Sequence, residues 1–92
     1  MEVEKERISD LEIYPNPTNS SITIKYYIPV NSLVTIEVFD VLGRKIETIV
    51  NETQSMGPHA AIWDASHVAS GIYYYILQAD GYTATKQMTI LK

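Results

Sequence analysis

The sequence contains no cysteine, and this absence excludes several kinds of structure and chemistry. No disulfide can crosslink the fold, no cysteine-zinc site can form and no thiol can act as a nucleophile. Aromatic residues other than tyrosine are also scarce, since one tryptophan and one phenylalanine accompany seven tyrosines. The 92 residues fit a single domain with a modest hydrophobic core.

The chain also lacks an excess of positive charge. Seven lysines and arginines face eleven acidic residues, which gives a net charge of −4. This balance argues against a nucleic-acid partner and against a polybasic membrane anchor. No apolar run approaches the length of about 20 residues that a transmembrane helix needs. Met1–Asp10 lacks the apolar segment of a signal peptide, so an exported protein would have to carry its export signal elsewhere.

Apolar and polar residues alternate along most of the chain, which predicts short β-strands with one buried face. The predicted strands are a short one around Ile8, Leu11 and Ile13, followed by Ser21–Ile28, Leu33–Asp40, Lys45–Val50, His59–Asp64, Ile72–Ala79 and Tyr82–Leu91. About seven strands without a convincing helix predict an all-β antiparallel sandwich, with a small closed barrel as the alternative.

The connections carry typical turn residues. Asp80-Gly81 predicts a two-residue type I′ hairpin turn, and Asp40–Gly43 predicts a hairpin loop with Gly43 in the left-handed conformation. Tyr14–Pro17 predicts a stiff turn, because each proline removes a backbone donor. We expect Asn51–Pro58 to be the longest polar connection and Asp64–Gly71 to hold one helical or 3₁₀ turn.

The sequence offers no recognisable catalytic site. His59 and His67 match neither a serine triad with a G-x-S-x-G motif nor a compact metal motif with Asp64. Asp40, Asp64 and Asp80 stand at strand ends, where aspartate commonly caps backbone donors. We therefore predict a protein that is not an enzyme and has no metal or cofactor.

The aromatic residues allow two interpretations. Exposed tyrosines together with Trp63 would suit a carbohydrate-binding surface, where flat rings stack on sugars. Alternation in Tyr73-Tyr74-Tyr75 instead sends Tyr74 to one face and its neighbours to the other. We favour a core role for Trp63 and one set of tyrosines, because a core with so few large side chains needs their volume.

Several motifs occur together in a recognisable order. They are Tyr14-Pro15-Asn16-Pro17, Ile22–Tyr26, Val38–Arg44, Trp63–Ser66, Ser70–Tyr75 and Lys86–Lys92. In this order and spacing the chain resembles the C-terminal sorting domain of the type IX secretion system of Bacteroidetes, over about Leu11 to Lys92.

The resemblance implies an immunoglobulin-like sandwich of seven strands that catalyses nothing. It would be the last domain of an exported protein and would direct the attached N-terminal cargo through the type IX outer-membrane translocon. The cargo would cross the periplasm and reach the outer-membrane surface or the medium, and a sortase-like protease would remove the domain. Residues 1–10 would then be a linker remnant and residues 11–92 the sorting domain. The alternative is a carbohydrate-binding or adhesive sandwich module of a secreted enzyme.

The resemblance also assigns residues. Those that match structural motifs of the family are Pro15, Asn16, Pro17, Gly43, Arg44, Trp63, Asp64, Gly71 and Tyr73. The terminal segment that the family needs for secretion, and that we expect a partner to recognise, is Lys86, Gln87, Met88, Thr89, Ile90, Leu91 and Lys92. Gln87 departs from the family, which usually has a basic residue there. The family pattern places Trp63, Tyr73, Tyr75 and Leu77 on the buried side.

The predicted terminal strand suggests how such a signal is read. If Tyr82–Leu91 lies at a sheet edge, its unpaired backbone groups could accept a strand from the translocon. The same edge could allow two copies to associate, and Lys86 and Lys92 would oppose that association and offer charge to an acidic partner.

Overall fold

The computed structural model describes residues 9–14 and 21–91 of the chain. These residues form seven strands, namely β1 (Ser9–Tyr14), β2 (Ser21–Ile28), β3 (Ser32–Asp40), β4 (Lys45–Gln54), β5 (Gly57–Asp64), β6 (Gly71–Ala79) and β7 (Tyr82–Ile90). The predicted turn at Pro15, Asn16 and Pro17 lies outside the described residues, as do the first eight residues and Lys92. Strand β1 begins at Ser9, and the division into a linker over 1–10 and a domain over 11–92 remains a prediction.

The strands form two antiparallel sheets, one in the order β1-β2-β5 and the other in the order β4-β3-β6-β7. The chain crosses between the sheets after β2, after β4 and after β5. This arrangement confirms the all-β, immunoglobulin-like sandwich and excludes the closed barrel for the described strands, since both sheets end in unpaired edges.

The core lies between the sheets and is built from the alternating residues of each strand. β2 contributes Ile22, Ile24, Tyr26 and Ile28, and β3 contributes Val34, Ile36 and Val38, all of which are buried. The remaining large buried side chains are Trp63, Tyr73, Tyr75, Leu77, Met88 and Ile90. The predicted buried positions Trp63, Tyr73, Tyr75 and Leu77 are thus confirmed. Because a strand turns successive side chains to opposite faces, burial follows the sequence pattern closely.

The connection predicted at Asn51–Pro58 is wrong. β4 continues to Gln54, where its residues pair with β3 from Thr35↔Asn51 to Ser32↔Gln54, and β5 begins at Gly57. Only Ser55 and Met56 join the two strands. The polar composition of this segment reflects an edge strand with little buried surface, and the backbone hydrogen bonds to β3 decide its conformation.

The segment between β5 and β6 contains no helix. It forms a turn in which Val68 N–H donates to the Ala65 carbonyl at 3.2 Å. This hydrogen bond joins residues three positions apart, as in one 3₁₀ turn, so the single turn expected in Asp64–Gly71 is present and does not extend into a helix.

Candidate functional site

Strand β7 forms one edge of the four-stranded sheet, as the terminal-strand hypothesis requires. It pairs with β6 residue by residue, from Ala79↔Tyr82 to Gly71↔Ile90, without a bulge. Asp80 and Gly81 connect the strands with φ angles of 51° and 80°, which confirms the predicted two-residue turn with positive φ at both positions. The last hairpin is therefore a regular ribbon whose outer side faces away from the rest of the sheet.

The turn determines which backbone groups of β7 point outward. In a two-residue hairpin the residues that flank the turn exchange both backbone hydrogen bonds, and such pairs then alternate with pairs that exchange none. Tyr82, at position Ala79↔Tyr82, therefore bonds to β6. The intervening residues Thr83, Thr85 and Gln87 direct their N–H and C=O groups away from β6. No other described strand pairs with β7 on that side.

The side chains of β7 divide into an inner and an outer set. Met88 and Ile90 are buried, with 1% and 0% of their surface exposed, and Gln87 lies exposed on the opposite face. Thr89 is half-buried, and Leu91 follows the strand with 55% of its surface exposed. The predicted recognition segment thus combines two core anchors with an accessible strand, apart from Lys92, which lies outside the described residues.

Lys86 occupies the inner side of the ladder and is nevertheless exposed. It stands directly opposite Tyr75, whose ring is fully buried, and two positions before Met88. A long lysine side chain can begin at the core side and place its ammonium group in water at the rim of the sandwich. None of the described ion pairs includes Lys86.

The other edge of this sheet, β4, is irregular. Its pairing with β3 shifts twice, so that Ile46 and Ile49 are extra residues that form bulges. Its inner-facing Glu47 pairs with Val38 and accepts a hydrogen bond from the Trp63 indole N–H of the other sheet at 2.7 Å. His67 Nε2 lies 3.5 Å from the same carboxylate oxygen. Side chains from β5 and the loop after it therefore contact β4 at Glu47.

Trp63 and Tyr73 belong to this inter-sheet contact and not to an exposed sugar platform. Trp63 is 2% exposed, and its ring packs edge-on against the rings of His67 and Tyr73, with centroids 6.3 Å away in both pairs. The Tyr73 hydroxyl donates to the Ala69 carbonyl at 2.7 Å. The structure therefore supports the core role of these aromatics, and Trp63 cannot serve the carbohydrate-binding alternative from its buried position.

The hairpin between β3 and β4 is organised by Asp40. Its Oδ1 accepts hydrogen bonds from the backbone N–H groups of Leu42 and Arg44, and its Oδ2 accepts one from Arg44 Nε at 2.8 Å. Gly43 has a φ of 83°, which confirms the predicted left-handed position. The Arg44 backbone donor is the main cause that lowers the pKa of Asp40. Gly43 and Arg44 thus have a structural role in the loop.

The remaining predicted residues also have local roles. Asp64 Oδ1 accepts a hydrogen bond from Ser66 N–H at 3.0 Å, as expected for an aspartate in a turn, and Gly71 begins β6. Residues 9–14 and 21–91 contain no cluster of three potential metal ligands, so His59, Asp64 and His67 do not form one. The described residues contain no helix that could span a membrane.

Sequence reasoning missed two features of the sheet edges. Glu47 is a polar residue in a strand of mostly exposed residues, and nothing in the local sequence indicates that it contacts Trp63. The position of Lys86 on the inner side could have been found, because it continues the alternation of Met88 and Ile90. That signal is weak without knowledge of which strand forms the edge.

The described strands form a small immunoglobulin-like domain in which β7 is an edge of the four-stranded sheet. Residues 12–91 match the family of secretion system C-terminal sorting domains, and the chain belongs to that family. The family is one of secretion signals and not of enzymes. Membership implies an interaction with the type IX secretion machinery and export to the cell surface or the extracellular space.

A solved structure provides an independent comparison of the fold. The chain is similar to part of PorZ, described as an essential bacterial surface component of the type IX secretion system of Porphyromonas gingivalis. The TM-score is 0.67 at 18% identity, and the match covers 90% of this chain and 12% of the PorZ chain. At this identity the similarity concerns the fold alone. No curated protein sequence matches the chain significantly.

Proposed function

We propose that this domain is the non-catalytic address of a cargo protein attached at its N-terminal side. It directs the cargo from the periplasm through the type IX outer-membrane translocon to the cell surface, and a sortase-like protease separates the two afterwards. Family membership supports the secretion-signal role. The edge of β7 supports a mode of recognition, in which the secretion machinery adds a strand to the folded domain.

The main observation in support of strand addition is the regularity of β7. Its nine residues pair with β6 without interruption, and its outer side has no partner strand among the described residues. Such a row of outward backbone donors and acceptors is a template for a further strand. Met88 and Ile90 hold the strand in the core, so the template is rigid before the partner arrives.

The first experiment tests whether the domain is sufficient to direct export. Glu2–Lys92 is fused to the C-terminal end of a fluorescent cargo that is exported to the periplasm of a host with the type IX machinery. We expect the cargo to reach the cell surface or the medium. Deletion of residues 86–92 should abolish this export. Cargo that stays in the periplasm while the intact domain is folded would contradict the proposed function.

The mode of recognition is tested by Thr85→Pro. Proline removes the outward N–H of Thr85, and an edge strand tolerates proline where that N–H faces solvent. We expect the domain to remain folded and export to fall by about tenfold or more, because the added strand loses backbone pairing there. Thr85→Val is the matched control, since valine keeps the N–H group and should preserve export. Circular dichroism of both variants verifies the fold. Wild-type export of folded Thr85→Pro would eliminate strand addition at β7.

A further inference from the structure

Lys86 combines three properties that together suggest a selective role. It lies at the midpoint of β7, with four strand residues on either side. It is on the inner side of the ladder, opposite the buried Tyr75. It is exposed, and no described ion pair engages its ammonium group. Every other residue of β7 is uncharged.

We propose that Lys86 selects the strand that pairs with β7. It excludes a second copy of this domain and favours a partner strand with an aspartate or glutamate at the position facing it. This inference rests on the proposed function of β7 as the edge that the secretion machinery recognises, and it specifies the chemistry of the partner.

The geometry of self-association explains the exclusion. Two copies of β7 related by a two-fold axis pair antiparallel, and outward-bonding residues must meet outward-bonding residues. The register that pairs all nine residues places Thr85 opposite Gln87 and therefore Lys86 opposite Lys86. Side chains in such a position have Cβ atoms about 4.5–5.5 Å apart, and like charges there destabilise the pair. Inward-directed charges are a common protection of sheet edges against such pairing.

Other registers avoid the two lysines only at a cost. A shift by two residues keeps the hydrogen-bonding pattern and leaves strand residues at both ends unpaired. It sets Lys86 opposite the buried Met88 in one direction and opposite Ala84 in the other. Fewer backbone pairs and an ammonium group beside an apolar side chain both weaken the contact. Each shifted register therefore forms fewer backbone pairs than full pairing of the nine residues would.

A partner strand with a carboxylate opposite Lys86 meets neither penalty. The opposite charges attract across the ladder. The partner residue two positions away from the carboxylate then lies opposite Met88. We therefore expect a segment that alternates apolar and polar residues and places one acidic residue on the inner side. The register of the complex follows from that single charge pair.

The test uses the domain itself as the probe strand. Sedimentation equilibrium is measured for the wild type, for Lys86→Thr, for Lys86→Glu, and for an equimolar mixture of the wild type with Lys86→Glu. We expect Lys86→Thr to self-associate about two- to fivefold more tightly than the wild type, because the like-charge contact is gone. The mixture should associate more tightly than either of its components alone, and added salt should weaken that association.

Lys25→Glu provides the control for net charge. It makes the same change of charge at an exposed position of β2, in the other sheet. Its mixture with the wild type should behave like the wild type alone. Equal association of all samples, including no association in any of them, would overturn the selective role of Lys86. Loss of export in Thr85→Pro would still support recognition at β7 in that case, so the two proposals fail separately.

Discussion

The two edges of the four-stranded sheet differ although one row of residues connects them. The row runs from Glu47 on β4 through Val38 and Tyr75 to Lys86 on β7, so that an inward charge stands at each end. Glu47 is engaged by the Trp63 indole and lies near His67. Lys86 has no described ion-pair partner.

The two edge strands differ in the features that disfavour the addition of a further strand. β4 has two bulges and three charged residues, which disfavour the addition of a strand, and its Glu47 also contacts the opposite sheet. β7 is regular and carries a single charge. Among the described residues, one edge is therefore irregular and highly charged, whereas the other is regular with a single charged side chain.

The largest expected effect comes from removing the buried ring that contacts Glu47 of β4. Trp63→Ala removes a buried ring that contacts both His67 and Tyr73, and we expect the free energy of unfolding to fall by about 3–5 kcal/mol. Urea titration followed by circular dichroism measures this loss. Trp63→Phe is the control and should lose clearly less, because it keeps an aromatic ring in the core. A loss below about 1 kcal/mol for alanine would contradict the central role of this ring.

The two charged ends of the row should respond differently to truncation. Glu47→Ala leaves the buried Trp63 N–H without its acceptor, and we expect a loss of about 1–3 kcal/mol in the free energy of unfolding. Lys86→Ala should change it by less than about 0.5 kcal/mol, because the exposed lysine has no described ion pair. Glu47→Gln keeps an acceptor oxygen and should lie between wild type and alanine. Equal losses at both ends, measured by urea titration, would contradict the distinction between the edges.

The middle of the row contains a group whose removal should stabilise the fold. The Tyr75 hydroxyl is buried without a hydrogen-bond partner among the described residues, and burial raises the pKa of this group above its ordinary value. Tyr75→Phe removes an unsatisfied polar group and keeps the ring. We expect a gain of about 1 kcal/mol by thermal or urea unfolding. A clear loss would mean that the hydroxyl has a favourable interaction in solution.

The smallest effect concerns the loop that introduces β4. The pKa of Asp40 is lowered, mainly by the Arg44 backbone N–H, so its ionised form is favoured in the folded state. This contribution to stability is present at neutral pH and is lost as the pH falls through the folded-state pKa. Asp40→Asn cannot lose a charge in this range. We expect the stability difference between wild type and Asp40→Asn to shrink on acidification, as measured by urea midpoints at neutral and acidic pH. A constant difference would argue against a role of the carboxylate charge.

Much of the fold was predictable because local rules decide it. Alternation located the strands and their buried residues, and Asp80-Gly81 and Gly43 indicated turns that need positive φ. The error at Asn51–Pro58 fell where distant residues decide the conformation. The polar segment that starts at Asn51 continues as a strand because it pairs with β3, and its own composition contains no sign of that partner.

The proposed recognition segment comes from the family resemblance, and the place of β7 at a sheet edge depended on the arrangement of the sheets. The sequence by itself determined that residues 82–90 form a strand with Met88 and Ile90 on the inner side, because successive residues alternate between faces. Only the tertiary structure decided that this strand ends the sheet, that Lys86 completes a row begun by Glu47, and that Glu47 accepts a hydrogen bond from Trp63. The physical reason is that side-chain alternation specifies a face, whereas the neighbours of a strand follow from backbone pairing between residues far apart in the chain.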